Sequence, residues 1–382
     1  MLKLMLKFSF LVPVILLLFA CSPKSAPLPP VPQSPAKEAV VDKAPWQQQW
    51  EKTVATAKKE NALVIYTSVG GDTRVVLIKA FKEDFGIDIE WTVARAESIT
   101  QKLLTEYRNG LSLADIYMGG STTISNTVKP AGILEQVEPV LILPEVLDPK
   151  VWPDGKIPFY DKERKGLAMA RVATPQLSIN TNLVKPGDLK SLKDLLDPKW
   201  KGKLLMNDPT ATGAGLKWFG VTLEKLGPDY MRQLAKQEPV ILRDERQQVE
   251  WLAMGKYPVL IAPKSDSIAE FVKAGAPISR STPVEGGHIG AGAAYLTRLG
   301  KPAHPAAQRV FINWILTKRP QELFAQTRLS PSSRLDVGTE GLDPARIPEP
   351  GVTYFNGDAE DFVSREPEFQ KLAREIFGPL MK

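Results

Sequence analysis

The chain has 382 residues, with 49 Lys and Arg against 43 Asp and Glu, a formal charge of +6, one cysteine and two histidines. A single cysteine excludes an intrachain disulfide. The basic excess is mild, and no basic run interleaved with aromatics and no zinc-finger spacing occurs, which argues against nucleic-acid binding.

Lys3 and Lys7 precede an apolar run from Phe8 to Ala20. This run is too short and wrongly flanked to span a membrane, and its charge order is that of a secretory signal. It ends in Leu18-Phe19-Ala20-Cys21, which resembles the lipobox of bacterial lipoproteins. The resemblance implies removal of residues 1–20 and lipidation of Cys21. Residues 21–45 hold seven prolines and no apolar periodicity, so we expect an extended tether there. The folded part is expected from Trp46 and is long enough for about two lobes.

From there, strand-like apolar runs alternate with amphipathic helical patterns, which predicts parallel α/β sheets. Ala62–Thr67 reads as a buried strand, Asp72–Phe85 as a helix ended by Gly86, Ile87–Val93 as a strand, Ser98–Asn109 as a helix and Ala114–Met118 as a third strand. Leu167–Asn180 reads as one long extended run. Lys203–Met206 is strand-like, and Asp208-Pro209 looks like a helix start. Val240–Leu242, a helix at Asp244–Met254 and Pro258–Ala262 complete a second unit. Gly290–Thr297 is expected as a strand and His304–Arg328 as one long amphipathic helix. Two α/β units with a return to the first predict two lobes, with crossings near Arg171–Leu177 and Ser281–Gly290.

Ligands of open α/β sheets sit beyond the carboxyl ends of the strands. The residues there are Ser68, Gly70, Gly120, Ser121, Thr212, Gly213, Lys264 and Ser265, with Thr174 in the first crossing. Glycines and hydroxyls at helix starts suit an anion, because the backbone N–H groups are unpaired and the dipole is positive. Lys264 is unfavourable before a helix N-terminus unless an anion reverses the local sign. No G-x-S-x-G, H-E-x-x-H or P-loop occurs, so no catalytic residue, metal ligand or cofactor is expected. His288 has a structural reading as good as a cleft-facing one.

The segment Ser191–Lys203 (SLKDLLDPKWKGK), then DPTATGAG at Asp208–Gly215, then Asn313-Trp314-Ile315-Leu316 and the loop Ser330-Pro331-Ser332-Ser333 resemble ABC-importer solute-binding proteins of the ferric-iron-binding type. The resemblance implies a two-lobed type II periplasmic-binding-protein fold with crossing hinge strands, closing on its ligand. It implies extracytoplasmic location, an ABC permease and its ATPase as partners, and a monomer held to the membrane by its lipid. The lobes would be 46–170 with 287–382, and 171–286, the C-terminal helices packing on either.

Family iron ligands, a His, a Glu and a Tyr pair, fall at Gly70, Gly120, Lys264 and Ser265. Ferric iron favours hard anionic oxygens, which none of these supplies. Tyr66 and Tyr117 lie inside strand runs and are expected to pack. The expected solute is therefore small and anionic, anchored by Thr212, Gly213, Lys264 and Ser265. Ferric iron or its chelate is the alternative, and a sensory or enzymatic domain on the same scaffold is a second one.

Overall fold

Apolar runs bounded by turn residues give the strands in chain order: β1 (Ala62–Thr67), β2 (Asp88–Val93), β3 (Ile116–Gly119), β4 (Leu134–Glu135), β5 (Gly166–Ala168), β6 (Val172–Thr174), β7 (Leu177–Asn180), β8 (Leu204–Asn207), β9 (Val240–Leu242), β10 (Val259–Ile261), β11 (Ile278–Ser281), β12 (His288–Gly290), β13 (Tyr295–Leu299) and β14 (Phe355–Asn356). They come from a computed structural model that describes residues 43–381 except 186, 282, 293, 350, 351 and 353, and only the backbone at 265, 266, 267 and 269. Residues 1–20, Cys21 and the tether as far as residue 42 lie outside the described residues.

The strands form three sheets. The first runs β2-β1-β3-β13-β4, with β5 also on β13; the second runs β11-β7-β10-β8-β9; the third, of three strands, runs β14-β12-β6. β1 is parallel to β2 and β3, because the helices Gly71–Phe85 and Ala96–Arg108 carry the chain back between them. β8 is parallel to β9 and β10 for the same reason. A helix at Pro45–Glu60 that we did not foresee packs against Pro305–Ile315.

Where one extended run was expected, Leu167–Asn180 divides into β5, β6 and β7, each in a different sheet. Pro175 separates β6 from β7, since proline has no N–H for a ladder. The run Gly290–Thr297 likewise divides: β12 lies in the small sheet and β13 in the first, with Gly292 at φ +61° between them. The chain thus passes twice from one large sheet to the other through the small one. The long helix expected at His304–Arg328 is two helices, Pro305–Ile315 and Lys318–Arg328. Pro320 lies in the first turn of the second and cannot donate to residue 316, which fixes the break.

Each large sheet has its own core. Phe81, Phe311, Trp314 and Phe324 pack on the first; Trp218, Phe219, Met231 and Leu234 pack on the second. The C-terminal helices Glu360–Val363 and Glu366–Phe377 add Phe362, Phe369 and Phe377 to the second core. Gly220 makes that possible: a Cβ there would meet Phe362 and Phe369 at 2.7 Å.

Candidate functional site

The helix Ala214–Ala235 starts after Gly213, whose φ of +147° and ψ of −162° are accessible only to glycine. Asp208 does not cap this helix, as its sequence position suggested. It is buried and accepts from the Thr210 backbone N–H and hydroxyl at 2.7 Å each, and from Arg243. Burial raises its pKa, but Arg243 and the Thr210 bonds outweigh that and hold it below the usual carboxylate value.

Beside this helix start lies a cavity of about 320 Å3. Ala214, Lys217, Pro263 and Lys264 line it from the second lobe, Thr174, His288 and Gly290 from the small sheet, and Arg328 and Ser330 from the end of the helix Lys318–Arg328. Arg346 and Asp358 complete it. Thr174 is directly opposite His288 in the β6–β12 ladder, and such pairs share a sheet face. Arg346 donates to the Ser330 hydroxyl at 2.9 Å.

Asp358 is the buried hub of this cavity. It accepts from the Ala291 N–H at 2.8 Å, from the Tyr295 hydroxyl at 2.9 Å and from the Lys217 ammonium. Burial disfavours its charge, yet Lys217 and these donors more than compensate and keep its pKa below the ordinary one. A Cβ at Gly290 would lie 2.2 Å from its Oδ2, so the carboxylate sits where only glycine leaves room. His288 is 5% exposed, and its Nδ1 has no hydrogen-bond partner. Burial, then the adjacent Lys217 charge, lower its pKa to about 3, against a smaller opposing pull from Asp358. The imidazole is therefore neutral at physiological pH.

Of the residues expected at the site, Thr174 and Lys264 line the cavity, and Thr212 and Gly213 immediately precede the lining residue Ala214. Lys264 does not face its helix alone, as anticipated: its ammonium is 2.9 Å from the Glu245 carboxylate. The Ser265 backbone opens the helix Ser265–Lys273, and its side chain lies outside the described residues. Ser68, Gly70, Gly120 and Ser121 do not line the cavity; Ser121 is 4% exposed. Gly120 is near it, since a Cβ there would be 3.6 Å from the carbonyl of the lining residue Gly292.

Sequence reasoning missed Lys217, Arg328, Arg346 and Asp358. Lys217 carried a usable signal: it is a lysine in the first turn of a helix, the same electrostatic anomaly that drew attention to Lys264. Asp358 carried none, being one acid among 43.

The tyrosines are occupied elsewhere. The Tyr66 hydroxyl donates to Glu106 at 3.3 Å, and the Tyr117 hydroxyl lies 2.9 Å from that of Thr100. Among the described residues, no group of three or more His, Cys, Asp or Glu is placed to hold a metal ion.

Two lobes on separate sheets, crossing strands and a polar cavity beside the crossing define a type II periplasmic binding protein. The family model described as bacterial extracellular solute-binding protein matches residues 75–327, and the chain belongs to that family. It is thus an extracellular solute-binding protein, and membership implies an ABC-transporter system around it.

Solved structures agree on the fold. Ferric iron-binding protein A of Mannheimia haemolytica, in an open conformation, superposes with a TM-score of 0.65 at 14% identity over 82% of this chain and 98% of that one. The Trichodesmium protein in complex with iron and citrate gives 0.63 at 16%, over 82% and 99%. The periplasmic binding protein AfuA of Actinobacillus pleuropneumoniae, with fructose-6-phosphate bound, gives 0.57 at 20%, over 84% and 98%. No curated protein matches by sequence. Among the described residues, no helix is long and apolar enough to cross a membrane.

Proposed function

We propose that this protein captures a small organic anion in the cavity beside Lys217 and delivers it to an ABC permease, as a monomer tethered through lipid on Cys21. One observation carries the reading: among the described residues, Lys217, Lys264, Arg328 and Arg346 line the cavity, and Asp358 is the only carboxylate that does. Lys217 and Lys264 are held by Asp358 and Glu245, so an anion entering the cavity would share these cations with the two carboxylates. Hydrogen bonds to charged groups contribute about 1.5–3 kcal/mol each. Ligand contacts from both lobes favour the closed arrangement by their difference between the two states.

The test is thermal unfolding with inorganic phosphate, phosphate monoesters, carboxylates and Fe(III). A shift with one of the organic anions supports the reading, and a shift with Fe(III) alone contradicts it. A second reading, an iron chelate, is favoured by the iron and citrate bound to the Trichodesmium relative. A chelate brings its own carboxylates to a basic wall, and a coloured complex only when citrate is present would select it.

A further inference from the structure

A second cavity, of about 1040 Å3, meets the first: Thr174 and Arg346 line both. Both carry charged side chains, but the second has more apolar ones. Val272, Ile278, Leu329, Leu342, Pro344 and Tyr354 form much of its wall. One of its cations, Arg280, is held by Asp343 at 2.7 Å, with side-chain exposures of 10% and 27%. The wall joins helix Ser265–Lys273 and β11 of the second lobe to the loop that follows Arg328.

We infer that the two cavities form one head-and-body site, and that the solute is an organic anion whose charged group sits in the smaller chamber and whose apolar or aromatic body passes Thr174 and Arg346 into the larger one. This rests on the anion reading above and narrows it. The smaller chamber alone is at the lower limit of ligand pockets, which span roughly 300–1,000 Å3. A bare inorganic anion would leave the larger chamber unused. Aliphatic side chains and the Tyr354 ring offer little to such an ion but bury the surface of a body. Burial of roughly 55 Å2 of apolar surface suffices for a tenfold gain in affinity, less than one face of an aromatic ring offers when it and its substituents are covered.

Calorimetry with inorganic phosphate, glycerol phosphate and phenyl phosphate tests this on the folded chain. The expected result is at least tenfold tighter binding of phenyl phosphate than of inorganic phosphate. Ser279→Trp, which fills the larger chamber from β11, should bring that ratio toward one. Ala345→Trp fills it from the opposite wall and serves if Ser279→Trp does not fold. Equal affinity for the three phosphates, or a ratio untouched by a folded tryptophan variant, overturns the inference while the anion reading stands. If no phosphate or carboxylate binds and Lys217→Met changes nothing, the anion reading itself has failed.

Discussion

Lys217 of the second lobe donates to Asp358, and Asp358 holds the Ala291 amide and the Tyr295 hydroxyl on the crossing back to the first lobe. One carboxylate therefore joins the helix that lines the cavity to the strand that leaves the hinge. On the proposed reading, a ligand anion beside Lys217 would share that ammonium with Asp358 and would couple ligand to hinge through one cation.

Removing the charge of Asp358 should destabilise the fold. Breaking a buried ion pair costs about 3–5 kcal/mol, and Lys217, with 21% of its side chain exposed, brings the expected cost of Asp358→Asn to roughly 2–3 kcal/mol. Urea denaturation at pH 7 measures it. Because the folded pKa lies below the ordinary value of 3.8, this stabilisation is complete above that value and is lost as the pH falls through the folded one.

His288 gives a different acid dependence. The unfolded imidazole takes a proton below its ordinary pKa of 6.5, whereas the folded one does so only near about 3. More protons bind the unfolded state between those values, so stability falls on acidification from 6.5 toward 3, by up to ~1.4 kcal/mol per pH unit. His288→Gln should flatten this part of the curve. A wild-type and variant pair with identical slopes between pH 6 and 4 would count against a buried neutral imidazole.

Gly290→Ala should act through Asp358. The added methyl would stand 2.2 Å from Oδ2, and such overpacking costs typically ~1–3 kcal/mol. Paired with Asp358→Ala, which removes the atoms the methyl would meet, it should cost less than the sum of the two single changes. Full additivity in a double-mutant cycle would mean that the glycine matters for some other reason.

The two lysines of the cavity should differ in their effect on anion affinity. Both are paired with a carboxylate, but Lys264 is half exposed and more screened by solvent, so Lys264→Ala is expected to weaken binding by less than tenfold. Lys217 is less exposed, and Lys217→Met should weaken it by about tenfold or more, a loss of ~1.4 kcal/mol or greater. Titration of both variants with the same phosphate monoester ranks them.

Cys21 should decide where the protein resides. Mass spectrometry of the membrane fraction is expected to show an acylated Cys21 with no residue before it, and Cys21→Ser should release the protein from that fraction. A wild-type chain that is soluble and starts at another residue would end the lipid proposal.

Periodicity located most strands and helices because one face of each is buried. It did not separate β5 from β6 and β7, or β12 from β13, because an extended run reads alike whichever sheet it joins. The two halves of the helix pair at 305–328 were merged because both carry an apolar stripe and the break depends on a single proline. The cavity lining was legible at the helix start after Gly213, at Lys264 and at Thr174 in the first crossing. Arg346 and Asp358 reach the cavity through the path of the C-terminal segment, which runs through β14 onto the second lobe. No local pattern records that path.

The most direct test of an anion-binding cleft is calorimetric titration of the wild-type chain and Lys217→Met with phosphate monoesters and carboxylates at pH 7. Saturable binding of at least one organic anion by the wild type is expected, weakened about tenfold or more in a folded Lys217→Met variant. Equal affinity in the two proteins, or binding of uncharged solutes alone, would contradict it.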